Sequence, residues 1–233
     1  MVTGAASGIG AATTRMLLRA GACVVAGDVD ASGLNALALP DDVDGRLDLA
    51  VADVRTAVHS EQLVDRAIER WGRVDSVIAC AGIGRFGGIL DVDADELAAM
   101  TEANFLGTVW LARAAVRRFR EAKRGGDIVI VGSVAGMGFG GATEAVYAGT
   151  KAAQIQFGVS LQKEVQSEGI RVAVIAPAAV NTSFAVATGR FDGRDPEDGP
   201  FLQPDDVAEA IGSTLRQPRR MRTAVWTMWS LAE

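Results

Sequence analysis

Short runs of apolar, β-branched residues alternate along this chain with longer stretches of helical periodicity. Four such runs are CVVAGDV from Cys23, VDSVIACAG from Val74, DIVIVGS from Asp127 and IRVAVIAP from Ile170. Because successive residues of each run are apolar, the runs predict strands that are buried on both faces. Strands of this kind form parallel sheets covered by helices, so the sequence predicts an α/β fold.

The segments between and after the runs predict helices and one long loop. Helical periodicity ends at Gly21 and at Gly72, and two longer helices are expected from about Ala94 to Lys123 and from about Glu144 to Glu168. Residues 178–203 have no regular pattern, and a loop of this length is usually functional, so we expect it to cover the substrate. No repeat or linker interrupts the chain, which predicts a single domain over residues 1–233.

The composition excludes several classes of function. The net charge of −6 and the pI near 4.9 favour solubility and disfavour a nucleic-acid partner, and the basic segment 216–222 is interpreted as an exposed helix end. No apolar run reaches the roughly 18 residues that cross a bilayer, so no membrane partner is expected.

The two cysteines and the single histidine limit redox and metal chemistry. Cys23 and Cys80 lie in apolar runs, where a thiol behaves as a small hydrophobic group, and no disulfide framework is indicated. His59 lies in a polar stretch and is predicted at the surface. With this single histidine the chain lacks the side chains that a histidine-based metal site or a Ser-His-Asp triad needs. We therefore expect no metal and a reducing, cytoplasmic location.

A glycine-rich segment, TGAASGIG at residues 3–10, lies where a first strand would lead into a first helix. Gly4, Gly8 and Gly10 permit a tight turn and a close approach of the backbone to a ligand, and the helix N-terminus offers free N–H groups to a pyrophosphate. A plain glycine-rich turn has the same pattern, so the spacing alone leaves both interpretations open.

Asp28 ends the second apolar run, eighteen positions after Gly10. This is near the spacing at which an acidic residue meets the ribose hydroxyls of NAD. Neither Ser7 in the glycine turn nor Val29 after the acid is basic, so a 2′-phosphate would find repulsion and no cation, and NAD is predicted in preference to NADP. The alternative is that Asp28 only caps the next helix.

Other polar and small residues follow the predicted strands. Asp53 and Val54 end a third strand, ACAG at 79–82 ends a fourth, and Ser133 ends DIVIVGS. In a doubly wound sheet these carboxyl ends line one crevice where ligands bind. Ser133 is therefore a candidate donor toward the ligand, although a serine after a strand is also ordinary in turns.

The only tyrosine of the chain, Tyr147, lies four positions before Lys151, one of three lysines. Residues at i and i+4 share a helix face, so the two side chains can act on one atom. The pair is therefore a candidate reactive site.

The motifs and their order along the chain resemble those of the short-chain dehydrogenase/reductase family, in its single-domain branch. The resemblance covers essentially the whole chain. The matching positions are Thr3, Gly4, Gly8, Gly10, Asp28, Asp53, Ala81, Gly82, Asn104, Ser133, Tyr147, Lys151, Pro177 and Thr182. The resemblance implies a doubly wound, mostly parallel, seven-stranded Rossmann-type sheet with helices on both faces. It also implies a homo-oligomer, a dimer or tetramer, in which the two long helices pair with symmetry mates.

The resemblance assigns roles by position. Tyr147 would exchange a proton with the substrate oxygen, Lys151 would lower the pKa of Tyr147 and hold the nicotinamide ribose, Ser133 would bind the substrate oxygen, and Asn104 would keep a water for proton relay. Bringing a tyrosine pKa from ~10 to ~7 needs about 4 kcal/mol, which nearby positive charges can supply. Cofactor contacts are expected at Gly4, Ser7, Gly8, Ile9, Gly10, Asp28, Val29, Asp53, Val54, Ala81, Gly82, Tyr147, Lys151, Pro177, Val180 and Thr182.

Three departures from the family pattern are visible. Ala79-Cys80 replaces the usual asparagine pair before Ala81, and Ala178 replaces the usual glycine after Pro177, from which we expect adjusted packing and a shifted contact near Thr182. The first strand is shortened to Met1, Val2 and Thr3. A central strand cut in half would leave backbone groups unpaired, so we expect the native protein to begin upstream and Met1 to lie within the sheet.

The sequence thus predicts an NAD-dependent oxidoreductase that interconverts a secondary alcohol and a ketone. A small apolar or weakly polar substrate is expected from residues of the surrounding loops, namely Met137, Phe139, Phe184, Phe191 and Phe201. The alternatives are a carbonyl reductase working mainly in the reductive direction and a non-catalytic, NAD-responsive binding protein.

Overall fold

A parallel sheet runs through the centre of the protein. The computed structural model describes residues 1–39, 43, 45–188 and 201–231, and within them seven strands lie in the order β3-β2-β1-β4-β5-β6-β7. All neighbouring pairs are parallel, as the apolar runs predicted. The strands are β1 (Val2–Thr3), β2 (Val24–Asp28), β3 (Leu47–Val51), β4 (Ser76–Ala79), β5 (Asp127–Val131), β6 (Arg171–Pro177) and β7 (Val225–Met228).

Helices cover both faces of the sheet, which makes this a doubly wound α/β domain. The α-helices of the described residues are α1 (Gly8–Arg19), α2 (Ala31–Asn35), α3 (Ala57–Trp71), α4 (Ala94–Met100), α5 (Gly107–Glu121), α6 (Ala145–Val165), α7 (Ser183–Ala187) and α8 (Pro204–Leu215). Alternate strand residues point to opposite faces. Val25 accordingly packs in the core beneath α3, α5 and α6, whereas Val24 and Ala26 pack in the core beneath α1 and α8.

The two long predicted helices are present, with irregular turns that their periodicity does not reveal. Between Ala94 and Glu121 the chain remains helical, but residues Thr101–Leu106 form a π-helical turn between α4 and α5. The second helix ends with a 3₁₀ turn at Gln166–Glu168 and a left-handed Gly169 (φ 72°). Because π turns occur frequently at functional sites, the one that contains Asn104 draws attention to that residue.

The first strand is short but lies in the middle of the sheet. Val2 and Thr3 pair with β2 on one side and β4 on the other. The Met1 carbonyl accepts from Ile78 N at 2.9 Å, and the terminal amino group of Met1 donates to the Ser76 carbonyl at 3.0 Å. Met1 therefore lies within the sheet, as expected.

Cys23 and His59 differ from what their sequence surroundings suggested. Cys23 is exposed, because β2 begins one residue later, at Val24, so the prediction of a buried thiol was wrong there. His59 is only half-exposed, and its Nδ1 accepts from the backbone N–H of Asp53 at 3.1 Å. This bond holds the turn that follows β3.

The predicted loop 178–203 is partly regular. Val180 and Leu202 form a bridge at its base, and the segment contains α7. Phe191, expected at the substrate mouth, lies outside the described residues. No helix among the described residues is long and apolar enough to cross a membrane.

Candidate active site

A cleft opens at the carboxyl edge of the sheet, with a cavity of about 370 Å³. This volume falls within the roughly 300–1,000 Å³ that is usual for small-molecule sites. All sixteen residues predicted to contact the cofactor line the cleft, from Gly4 in the glycine turn to Thr182 before α7, and Ser133 lines it as well. The strand ends therefore bring the predicted residues to one place.

The glycine turn is packed so closely that side chains are excluded from it. Gly4 has a left-handed φ of 65°, and a Cβ on it would lie 2.8 Å from the backbone N of Ala81. A Cβ on Gly10 would meet the Gly4 carbonyl. The turn leads directly into α1, whose first residues follow Ser7, so the unpaired N–H groups of the helix start face the cleft. This cradle fits a pyrophosphate.

Asp28 holds the glycine turn against the end of β2. Its Oδ2 accepts from Ala6 N at 2.9 Å, and its Oδ1 accepts from Asp30 N at 2.9 Å. Helix α2 is capped instead by Asp30, whose Oδ1 accepts from Ser32 N and Gly33 N at 3.0 Å. The interpretation of Asp28 as a simple helix cap is therefore wrong.

Asp53 is bound by a cation that the sequence interpretation did not include. The Arg55 guanidinium donates to both Asp53 carboxylate oxygens at 2.6–3.0 Å, and both residues line the cleft. Hydrogen bonding to Arg55 holds the pKa of Asp53 below its usual value. This ion pair lies beside β2, because β3 is the neighbour of β2 in the sheet.

Thr3 binds the backbone at the strand end where Ala79 and Cys80 replace the asparagine pair of the family pattern. Its Oγ1 accepts from Cys80 N at 3.2 Å and from Ala81 N at 3.3 Å. The Cys80 thiol is poorly solvated, which raises its pKa to about 12 and keeps it neutral. The backbone here is thus held by Thr3, and a neutral thiol forms part of the cleft wall, while an adjusted packing relative to the family stays a prediction.

Tyr147 and Lys151 lie together on α6, both buried at 6% exposure. The Lys151 Nζ lies 5.7 Å from the centre of the Tyr147 ring and donates to the Val131 carbonyl at 3.1 Å. Burial lowers the pKa of Lys151 from 10.5 to about 8, while the ammonium remains the main form at neutral pH. A buried cation beside a phenol is the arrangement that favours a phenolate.

Ser133 stands at the end of β5 with its side chain in the cleft wall. It is 5% exposed, and its Oγ accepts from Ala135 N at 3.2 Å, which starts a 3₁₀ turn over Val134–Met137. The hydroxyl proton remains able to donate to a ligand oxygen. Both interpretations of this serine, turn residue and donor, are compatible with the geometry.

Asn104 lies behind the cleft wall and does not line it. Its Oδ1 accepts from Ile83 N at 2.8 Å, and its Nδ2 donates to the Ile83 carbonyl at 2.9 Å and to Thr150 Oγ1 at 3.0 Å. A Cβ on Gly82 would lie 3.1 Å from the Asn104 Oδ1 and 3.7 Å from the Lys151 Nζ, so both side chains lie close to Gly82. Asn104 thus links α6 to the segment after β4, and its role in a water relay stays a prediction.

The loop residues expected at the substrate mouth divide into two groups. Phe184 lines the cleft and packs against Tyr147, with 5.6 Å between ring centres. Phe139 is 64% exposed and instead packs edge-on against Trp229 at 5.7 Å, and Met137 is also exposed. Phe86, which sequence reasoning missed, lies edge-on to Tyr147 at 5.4 Å.

No group of three or more His, Cys, Asp and Glu side chains that could hold a metal ion occurs in the part of the chain that the structure describes. The cleft is instead suited to a nucleotide, with a glycine cradle at one end and the Tyr147–Lys151 pair at the other.

Comparison with known proteins agrees with this arrangement. The short chain dehydrogenase family profile matches residues 1–192. The 3-oxoacyl-[acyl-carrier-protein] reductase of Thermotoga maritima is 30% identical over 219 residues, which are 91% of this chain and 87% of that protein. The chain therefore belongs to the short-chain dehydrogenase/reductase family, and it is an oxidoreductase of that family.

Two solved structures are similar throughout. The closed form of a serine dehydrogenase complexed with NADP⁺ has a TM-score of 0.90 and 26% identity, covering 100% of this chain and 94% of its own. The alcohol dehydrogenase of the archaeon Thermococcus sibiricus, complexed with 5-hydroxy-NADP, has a TM-score of 0.86 and 28% identity, covering 100% and 96%. Each of these two structures contains a form of NADP.

Proposed function

We propose that this protein is an NAD-dependent oxidoreductase that interconverts a secondary alcohol and a ketone. The observation that carries the proposal is the convergence of Ser133, Tyr147 and Lys151 on the cleft that also contains the glycine cradle. The nicotinamide cofactor, when bound, accepts or returns the hydride of the carbinol carbon. A binding protein without catalysis would not need these three side chains together.

The residues of the chain supply the proton chemistry. In alcohol oxidation Tyr147 takes the hydroxyl proton as the hydride leaves the carbinol carbon, and in reduction it returns a proton to the carbonyl oxygen. Ser133 donates a hydrogen bond to that oxygen. Lys151, held by the Val131 carbonyl, contributes positive charge beside the phenol. The Tyr147 ring is covered by Phe86 and Phe184, which limits access of water to its flanks.

The preference for NAD rests on Asp28. Its carboxylate lies at the cleft and is bound by two backbone N–H groups and, among the described residues, by no cation, while neighbouring Val29 is apolar and 67% exposed. A 2′-phosphate placed there would meet a negative charge. Arg55 is the nearby cation that lines the cleft in the described part of the chain, but Asp53 already binds its guanidinium.

Changing Asp28 to serine and Val29 to arginine together should move the preference toward NADP. The double variant removes an anion and adds a cation at the ribose, and it retains the glycine turn. The measurement is kcat/KM for NAD and NADP in wild type and variant, with Arg55→Ala as a control that removes the other cation near this end of the cleft. A wild-type enzyme that already prefers NADP would show that the interpretation of Asp28 is wrong.

The reductive direction is the second candidate function. Its support is the similarity to a protein named 3-oxoacyl-[acyl-carrier-protein] reductase and to structures with NADP forms bound. A panel of secondary alcohols with NAD and the matching ketones with NADPH, followed by cofactor absorbance, decides between the two. Turnover of ketones alone, with NADPH alone, would replace our proposal by this one, and no turnover with cofactor bound would favour the binding protein.

We also propose that the protein is a homo-oligomer, a dimer or tetramer, formed through α5 and α6. The support is the family resemblance together with partly buried aromatic residues on this side, such as Phe105 and Phe157, whose ring centres lie 6.2 Å apart. Light scattering on the purified protein measures the assembly state. The cytoplasmic location stays a prediction from the sequence.

A further inference from the structure

Three aromatic rings meet at the catalytic end of the cleft. Phe86 lies edge-on to Tyr147 at 5.4 Å and to Phe184 at 6.4 Å, and Tyr147 and Phe184 lie 5.6 Å apart with a tilt of 43°. The rings come from three separate segments, which are the connection between β4 and α4, the first turn of α6, and α7. Edge-on and tilted ring pairs at these distances are energetically favourable, so each ring helps to hold the other two in position.

The backbone is shaped to receive Phe184. A Cβ on Gly84 would lie 2.6 Å from the Phe184 Cζ and 2.8 Å from the Thr188 Cγ2, so the ring rests directly on the Gly84 main chain. The segment that carries Phe86 is also tied down, because Gly87 N donates to the Thr143 carbonyl at 2.9 Å, just before α6. The position of Phe184 is therefore determined by contacts with two segments.

The surroundings of this cluster are apolar. The partly buried hydrophobic residues around Tyr147 are Ile83, Phe86, Leu97, Val146, Ala148 and Phe184. Arg85 is exposed and points to Glu96, with 2.8 Å between Nε and Oε1. Among the cleft-lining residues that the structure describes, Asp28 ends β2, and Asp53 and Arg55 follow β3, so Lys151 is the one charged side chain at the Tyr147 end.

We propose that Phe184 determines substrate specificity by packing against a flat, uncharged group on the carbinol carbon, and that Phe86 and Gly84 are positioning residues that hold its ring. The substrate class is then a secondary alcohol or ketone with an aryl or similar planar apolar substituent. Aromatic pairs contribute beyond the area they bury, and a carboxylate placed against the rings would lose its hydration. The nearby cation, Lys151, already donates to the Val131 carbonyl. This inference rests on the proposed function.

The first test compares kcat/KM with NAD for 1-phenylethanol, 2-butanol and 3-hydroxybutyrate. We expect 1-phenylethanol to be used best and 3-hydroxybutyrate worst. In Phe184→Leu, which keeps apolar volume but removes the ring, the preference for phenyl over ethyl should fall roughly 3- to 10-fold, the factor that one ring contact gives in an equilibrium constant.

Gly84→Ala should lower the same ratio without changing Phe184, because the new Cβ displaces the ring. Its control is Gly149→Ala on α6, where a Cβ would meet nothing within 4 Å of the same chain. Because α6 belongs to the proposed oligomer interface, light scattering first checks that this variant keeps the wild-type assembly state, and the ratio should then stay at the wild-type value. A merely structural effect would lower activity on both alcohols equally. Equal use of 3-hydroxybutyrate and 1-phenylethanol, or an unchanged ratio in both variants, would overturn the inference while leaving the proposed function intact.

Binding of 4-fluoroacetophenone separates the two proposals. Its ¹⁹F signal, recorded with the protein and oxidised NAD, does not depend on turnover. Broadening in wild type and Gly149→Ala, but much less in Phe184→Leu and Gly84→Ala, supports the aromatic site even if no alcohol is oxidised. Equal broadening in all four proteins, or none in any, contradicts it.

Discussion

Tyr147→Phe is expected to reduce turnover at least about 100-fold, the usual contribution of a general acid–base group, and to leave cofactor binding nearly unchanged. The substitution removes one hydroxyl and keeps the ring that contacts Phe86 and Phe184, so the packing of the site should persist. Rates with the best alcohol and the dissociation constant of NAD, from quenching of tryptophan fluorescence, measure the two effects separately.

Because Tyr147 is the only tyrosine, no other phenol of the chain can replace it in the variant. A retained rate above one tenth of wild type would mean that Tyr147 is not the proton carrier. A parallel loss of NAD binding would point instead to a structural role. The combination of lost turnover and retained binding is specific to a proton carrier.

The sheet could be predicted from the sequence because its constraints are local. Each apolar run is buried on both faces, and this alone selects a parallel sheet covered by helices. The same holds for the glycine turn, since Gly4 and Gly10 are in contact with backbone atoms that leave no space for a side chain. The proximity of Tyr147 and Lys151 could be predicted from their spacing because both residues lie on one helix.

What the sequence did not reveal depends on contacts between distant segments. Phe86 and Phe184 come from different loops, and no spacing connects them to Tyr147. Arg55 binds Asp53 two residues away, yet a charged pair after a strand is too common to be assigned to a site. Cys23 was misjudged because β2 begins one residue later than its apolar run, and strand ends are not defined by composition.

The π turn at Asn104 also depends on contacts between distant segments. Thr108 Oγ1 donates to the Asn104 carbonyl at 2.7 Å, and buried Gln154 on α6 donates to Thr108 Oγ1 at 2.7 Å. The irregular turn is thus stabilised from a neighbouring helix. Helical periodicity predicts that a helix is present there but carries no information about such partners.

Lys151→Met should lower kcat/KM for alcohol oxidation at pH 7 by roughly 100- to 1000-fold, since about 4 kcal/mol separates a phenol that titrates near ~10 from one that titrates near ~7. The loss should shrink as the pH approaches ~10, where a tyrosine ionises without help. Lys163→Met, at a position of the same helix that is exposed in the single chain, is the matched control and should keep the wild-type profile once light scattering has shown the wild-type assembly state.

The stability of the variant distinguishes this effect from unfolding. Burial lowers the pKa of Lys151 from 10.5 to about 8, so the unfolded chain binds more protons than the folded one between these values. The free energy of unfolding of wild type should therefore rise relative to that of Lys151→Met as the pH increases from about 8 to 10.5. Denaturant titrations across this range, run beside the pH–rate profiles, test both consequences of one buried ammonium. Parallel rate profiles for wild type and Lys151→Met from acid to alkaline pH would show that the ammonium does not act on the proton carrier, whatever its effect on stability.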